Sequence, residues 1–373
     1  MLRLAVFVLL FTTAAFAETI TFTNVVHDGP VIVEGTSTRK HIDWVKLTPG
    51  ANETSYDWWY FDVVSSDANI STSIVFYNGG PKGFINNYLG GPLAATLVGA
   101  FPNGTLHSIE LPATSATFTR EDHGSFATSG VYEGTGFSFN GTSLGKGRVQ
   151  YVVSIDAPGI GLTGTMTLLS LAPAHYPCGP DKPGQTELVI PHVYWSNAVP
   201  DAVGAVDLVI NGTEVKFEGA GYHDKNWGDT SFWTTTSTWY WGHAQLGPYS
   251  IVWFDAFDQA GVEHQSGYVA KDGKMLLGSC EPGIVVARPW GANSDFPPKI
   301  GTPPMQGMEV QFDLGRGRSF WANVTTTGVV SPDGGGVYFR TRGTVTGGLG
   351  GRGCRDSRTY EGVSLFEEFK LTP

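Results

Sequence analysis

Residues 51–78 read ANETSYDWWYFDVVSSDANISTSIVFYN, the longest stretch past the amino terminus that lacks both Gly and Pro. A helix would have its best chance here, yet the segment is filled with aromatic and β-branched residues, which suit a pleated, half-buried surface. It reads as two strands, Tyr56 to Val64 and Ile70 to Tyr77, around a polar Ser65-Ser66-Asp67 turn. With period-2 alternation, Asp57, Trp59 and Phe61 share one face and Trp58, Tyr60 and Asp62 the other. Both faces are aromatic, so this strand lies between two apolar layers or lines a cavity. A carboxylate among tryptophans, as at Asp57, needs partners. The rest of the chain is cut even finer, by 50 Gly and 22 Pro in 373 residues, and its pieces carry the same composition. An all-β protein follows.

That length exceeds what one core usually serves, so two β-rich domains are expected, 18–220 and 221–373, with the seam between Pro200 and Trp227 and a ligand cleft at their contact. One hairpin can be drawn: Thr238 to Ala244 and Tyr249 to Phe257 flank Gln245-Leu246-Gly247-Pro248. Centred on Gly247, it sets Trp241 opposite Trp253, Trp239 opposite Asp255 and His243 opposite Ile251.

The amino terminus has a charged start, an apolar run from Leu4 to Phe11 and Ala15-Phe16-Ala17 before Glu18, the pattern of a secretory signal peptide over 1–17. No later window holds the roughly 18 to 20 apolar residues of a membrane-spanning helix. Asn52, Asn69, Asn103, Asn140, Asn211 and Asn323 each open an Asn-x-Ser/Thr acceptor, where chance would give roughly two. A secreted or lumenal protein carrying N-linked glycans is expected. Cys178, Cys280 and Cys354 allow one disulfide of undecided pairing and have no metal-ligand spacing. With 23 Lys plus Arg against 34 Asp plus Glu, and the bases scattered, the chain lacks the footprint of a nucleic-acid binder.

Two motifs are misleading. Gly141-Thr142-Ser143-Leu144-Gly145 matches the nucleophile elbow but overlaps a glycan acceptor and follows a strand rather than feeding a helix. Gly159 to Gly164 and Gly348 to Gly353 fit the dinucleotide fingerprint, yet neither opens a helix in a βαβ unit. The denser signal is Tyr222-His223-Asp224-Lys225-Asn226-Trp227-Gly228-Asp229. His223 with Asp224 could form an acid-base pair, or the segment could be an interdomain turn whose polar groups satisfy one another.

Tyr56 to Asp62, Gly221 to Gly228 and the Trp-rich hairpin through Trp241-Gly242-His243 together resemble the hydroxyneurosporene-synthase-like family, which includes the fungal Diels-Alderases. The resemblance implies an N-terminal β-sandwich and a C-terminal lipocalin-like barrel, a cavity at the cleft, hydrophobic small-molecule substrates, and neither cofactor nor metal. It implies a pericyclase; the secretory features make this chain more similar to the branch joining an o-quinone methide to a terpene such as humulene. A hydratase, dehydratase or isomerase acting on a polyene, and a non-catalytic binder of hydrophobic metabolites, are the alternatives. Carried onto matching positions, the family's cleft implies catalytic roles for Asp57, Tyr194, His223 and Arg340. Trp59, Asn86, Asn87, Trp227, Trp241, His243, Trp321 and Tyr338 would contact substrate.

Overall fold

The computed structural model describes residues 18–38, 41–84, 90–101, 103–120, 127–292, 294–332, 336–352 and 358–372. The segment 1–17, Asn86, Asn87 and Cys354 lie outside them. Among the described residues there are 26 strands and a single four-residue α-helix, Phe232–Thr235. The opening segment folds as strands Tyr56–Ser65 and Ser71–Gly79. Their turn is held by the Asp67 carboxylate, which accepts from Ser65 Oγ and the Asn69 backbone.

The strands form two large antiparallel sheets and one small two-stranded pairing. The first large sheet runs from Glu18–Thr23 at one edge to Leu106–Pro112 at the other, with Val193–Ile210, Thr213–Gly228 and Tyr56–Ser65 at its middle. It curls over its own core, so that Trp59 stacks on Phe118 at 4.3 Å and Phe76 meets Phe139 at 4.9 Å across the interior. The elbow-like Gly141 to Gly145 belongs to the strand Phe137–Gly145, and Asn140 is exposed there.

The second sheet takes every strand from Thr236 onward and curls into a lipocalin-like half-barrel around Trp253, Phe312, Phe320 and Phe366. The chain changes sheets between Gly228 and Thr236. Position 221 therefore falls inside a strand, not at a seam: His223 to Trp227 pair with Phe61 to Asp57 in a ladder where a turn was one of two readings. Pro200 also lies within a strand, Val193–Ile210, where the register shifts twice against its neighbour. Cys178 and Cys280 are bonded, tying a short extension of the first sheet to the second.

The hairpin exists but slips by one residue. Leu246 pairs with Tyr249 across a two-residue Gly247-Pro248 turn, with Gly247 at φ +56, so Trp241 faces Phe254, Trp239 faces Ala256 and His243 faces Val252. Because side chains alternate, a one-residue slip exchanges the whole partner set. Trp253 and Asp255 point into the half-barrel instead, with Trp253 passing over Gly242, where a Cβ would sit 2.2 Å from its ring.

Candidate active site

The outer face of the first sheet packs against the second, and the contact is an aromatic layer of Tyr56, Trp58, Tyr60, Tyr222, Phe232, Trp239, Trp241 and Phe369. Within it lies a cavity of about 190 Å³. Strand register builds its walls. On the first sheet one row runs Asp224, Tyr60, Val75, Thr96, Glu110, each directly opposite the next on five neighbouring strands, and a second runs Asn226, Trp58, Tyr77. On the second sheet the rows are Trp239, Phe369, Tyr338 and Trp241, Glu367, Arg340, Ser331. Directly opposed side chains share a face, so all of these look into one space. Phe84 and Phe232 close the aromatic end, with Phe84 at 4.4 Å from Trp58 and 5.2 Å from Phe232.

Three carboxyls line this cavity, and their partners differ. Glu367 Oε1 accepts from Tyr338 OH at 2.7 Å and Arg340 Nε at 2.8 Å. Arg340 also donates to Ser73 Oγ at 2.7 Å and lies 4.8 Å over the Tyr60 ring, which pins its planar fork between the sheets. Asp224 is fully enclosed, and burial pushes its carboxyl up to about 7, opposed by hydrogen bonds from Trp195 Nε1 and Tyr222 OH, each at 2.7 Å. Both donors converge on Oδ2. The proton of the neutral acid therefore resides on Oδ1. Glu110 Oε1 is buried without a donor among the described residues, and burial raises its pKa. Tyr60 OH and Trp239 Nε1, also on the cavity wall, are buried without an acceptor among the described residues.

Of the residues expected from sequence, Trp241, Tyr338 and Arg340 line the cavity. Asp57, Trp59, His223 and Trp227 occupy the opposite faces of the same two central strands and look away from it. Asp57 is paired with Lys225 and accepts from the Lys46 backbone; burial raises its pKa and lowers that of Lys225, and each charge is the other's chief compensation. Trp59 donates to the Asp43 carbonyl and stacks in the core. His223 stacks on Phe61 at 3.9 Å, with Nδ1 on the Tyr60 carbonyl and Nε2 on Asp43. Trp227 Nε1 donates to the Glu34 carbonyl. His243 lies between the sheets, bonded to Asp62 and stacked on Tyr222 at 4.5 Å, outside the cavity lining. Tyr194 is half-buried, stacked on Trp227, and Trp321 is 37% exposed on the second sheet. Glu110 and Glu367 carry no sequence signal, Asp224 is read there only as a partner of His223, and Trp58 and Tyr60 are placed on a strand face without a role. For Trp58 and Tyr60 the alternation of 56–62 held the signal, since they share the face opposite Asp57.

Residues 12–282 match the model of the Diels-Alderase-like family. The chain belongs to that family. It is similar to the quinolone epoxide rearrangement protein asqO of Emericella nidulans, 39% identical over 92% of this chain and 91% of that protein, and to its counterpart penF of Penicillium thymicola, 38% identical over 93% of each. The Diels-Alderase ucsH of an Acremonium species is 27% identical over 62% of this chain and 58% of its own. The crystal structure of CghA with Sch210972 superposes with a TM-score of 0.74 over 96% of this chain and 99% of that one at 19% identity, and kievitone hydratase from Nectria haematococca at 0.50 over 94% and 99% with 11% identity. These two show the fold. The named Diels-Alderase and rearrangement relatives support an enzyme of pericyclase type. The family match ends at 282, so Tyr338, Arg340 and Glu367 come from the part of this Diels-Alderase-like chain beyond it.

Proposed function

We propose that this protein catalyses the acid-assisted rearrangement of an epoxide on a flat, hydrophobic metabolite of the quinolone kind, with Asp224 as the proton donor. The carrying observation is the Asp224 carboxyl, buried on the wall of an aromatic cavity with both donors on one oxygen, where burial pushes its pKa up to about 7. A catalytic acid works best with a pKa near the operating pH and contributes about 10² to 10⁴ in rate. Asp224 Oδ1–H gives its proton to the epoxide oxygen as a ring C–O bond breaks. A neighbouring group moves with its electron pair to the cationic carbon, a carbonyl forms, and the proton returns to Asp224, so the step is an isomerisation. Trp58 and Tyr60 line the cavity beside Asp224 and give the reacting centre an aromatic surrounding. The aromatic wall leaves little polar surface to hold water beside the cation. The two relatives similar over more than nine-tenths of the chain bear epoxide rearrangement in their names, which supports this reading.

A second reading, hetero-Diels-Alder addition of an o-quinone methide to a terpene, draws support from the relatives named Diels-Alderases and from Tyr60 OH and Trp239 Nε1, buried donors suited to a dienone oxygen. Purified protein is offered a 2-quinolone bearing a side-chain epoxide, and separately an o-quinone methide precursor with humulene, and products are resolved by chiral chromatography. Fast, stereoselective rearrangement that Asp224→Asn abolishes supports the first reading; product at the uncatalysed rate and without enantiomeric excess refutes it. Enantioenriched adduct in the second arm alone selects the alternative. Change in neither arm leaves a binder or a hydratase. We also propose that the protein is glycosylated in the secretory pathway. Asn69, Asn103, Asn140 and Asn211 are exposed, while Asn52 and Asn323 are half-buried. A mass loss on treatment with a peptide N-glycosidase is expected, and an unmodified intact mass refutes it.

A further inference from the structure

We infer that Glu110 is a specificity-determining residue: it receives an N–H or O–H donor at the far end of an elongated substrate whose reacting end lies at Asp224. The inference rests on the epoxide reading for the role of Asp224. Its geometry does not. Asp224 and Glu110 stand at the two ends of the cross-strand row Asp224, Tyr60, Val75, Thr96, Glu110. Four inter-strand steps of about 4.8 Å separate their backbones by roughly 19 Å. Both side chains line the same cavity, so a molecule filling it reaches from one carboxyl toward the other.

The chemistry of the far end follows from counting donors. Asp224 Oδ2 holds two and Glu367 Oε1 holds two, whereas Glu110 Oε1 is buried with none among the described residues. Arg340, the cation lining the same cavity, is committed to Glu367 and Ser73. Buried polar atoms are almost always paired, and a carboxylate oxygen accepts only. A ligand group that meets Glu110 Oε1 is therefore favoured if it brings a hydrogen. Thr96, Ser108 and Ser331 make that arm polar, against the aromatic wall around Trp58, Phe84 and Trp239. The fitting ligand has a flat apolar body and one outlying donor, of which a lactam N–H is the simplest case.

The test uses 2-quinolone and its N-methyl derivative, with quenching of the cavity tryptophans reporting binding to the intact protein. Wild type is expected to bind the N–H compound about tenfold more tightly. Glu110→Leu should bind both equally, by losing affinity for the N–H compound alone, and Glu110→Gln, which keeps an acceptor oxygen, should retain part of the preference. Asp224→Asn should leave the preference intact. With the epoxide substrate, Glu110→Leu should raise KM and leave kcat within about threefold, since the contact is made equally in ground and transition states. Equal binding of the two compounds by wild type, no binding of the N–H compound, or a preference that survives Glu110→Leu overturns the inference. If the epoxide reading alone is wrong, turnover is absent while the Glu110-dependent preference persists.

Discussion

Replacing Asp224 by Asn keeps an oxygen to accept from Trp195 Nε1 and Tyr222 OH but removes the proton and the latent charge. Two consequences differ in kind. Turnover should fall by about 10² to 10⁴, the usual worth of a positioned general acid, and the wild-type rate should itself decline as pH rises through about 7. Stability should move the other way. Burial raises the folded-state pKa from 3.8 to about 7, so the folded protein keeps a proton that the unfolded chain releases near 3.8. The Asp224 contribution to stability is thus largest below 3.8, declines as pH climbs through that window, and is flat above 7. The full rise is worth about 4 kcal/mol, of which about 1 is spent by pH 4.5. Urea unfolding of both proteins at pH 4.5 and pH 8 should show the stability of Asp224→Asn relative to wild type increasing by about 3 kcal/mol between the two. Other raised carboxyls, such as Asp201 and Asp255, are common to both proteins and cancel. A stability difference that does not change with pH, or undiminished turnover in a folded variant, would refute the assignment.

Asp57→Asn strands the Lys225 ammonium in the core and should destabilise by about 3 to 5 kcal/mol in chemical denaturation, with turnover per folded molecule unchanged; lost turnover in a fully folded sample would mean the core face takes part in chemistry. Arg340→Lys keeps the charge but loses the fork that joins Glu367 to Ser73, and kcat/KM should drop by up to about 100-fold as Tyr338 and Glu367 relax; an unchanged value would remove Arg340 from the site. Cys178→Ser with Cys280→Ser opens a loop spanning 102 residues, and by chain entropy should lower the unfolding free energy by about 4 to 5 kcal/mol, read from urea curves against wild type with and without reductant.

Strand content was open to inspection because aromatic and β-branched residues fill nearly every piece between glycines. The faces of residues 56–62 were equally plain. Which face lines the cavity was not, since both are aromatic and the attention-drawing groups, Asp57 and His223, are on the other one. Charged residues in sequence look reactive until their partners are known: Lys225 neutralises Asp57, and Asp43 with the Tyr60 carbonyl occupies His223. Asp224, next in line to His223, points the other way and keeps an oxygen uncommitted. Glu110 and Glu367 sit in unremarkable stretches and gain meaning only through pairings with Thr96 and Arg340. Tyr338 and Arg340 came from the family resemblance rather than from any local pattern. The hairpin erred because one residue in the turn decides which partners the tryptophans meet.

The two central strands, Tyr56–Ser65 and Thr213–Gly228, are a wall shared by a packed interior and the aromatic cavity, with alternate residues near its centre belonging to each. For an evolving lineage this separates two selection pressures along one segment. Changes at 58, 60, 224 and 226 can reshape the cavity without touching the packing set by 57, 59, 223 and 225, and the reverse also holds. A fold arranged this way can drift from one transformation to another through substitutions spaced two apart, leaving its foundation undisturbed.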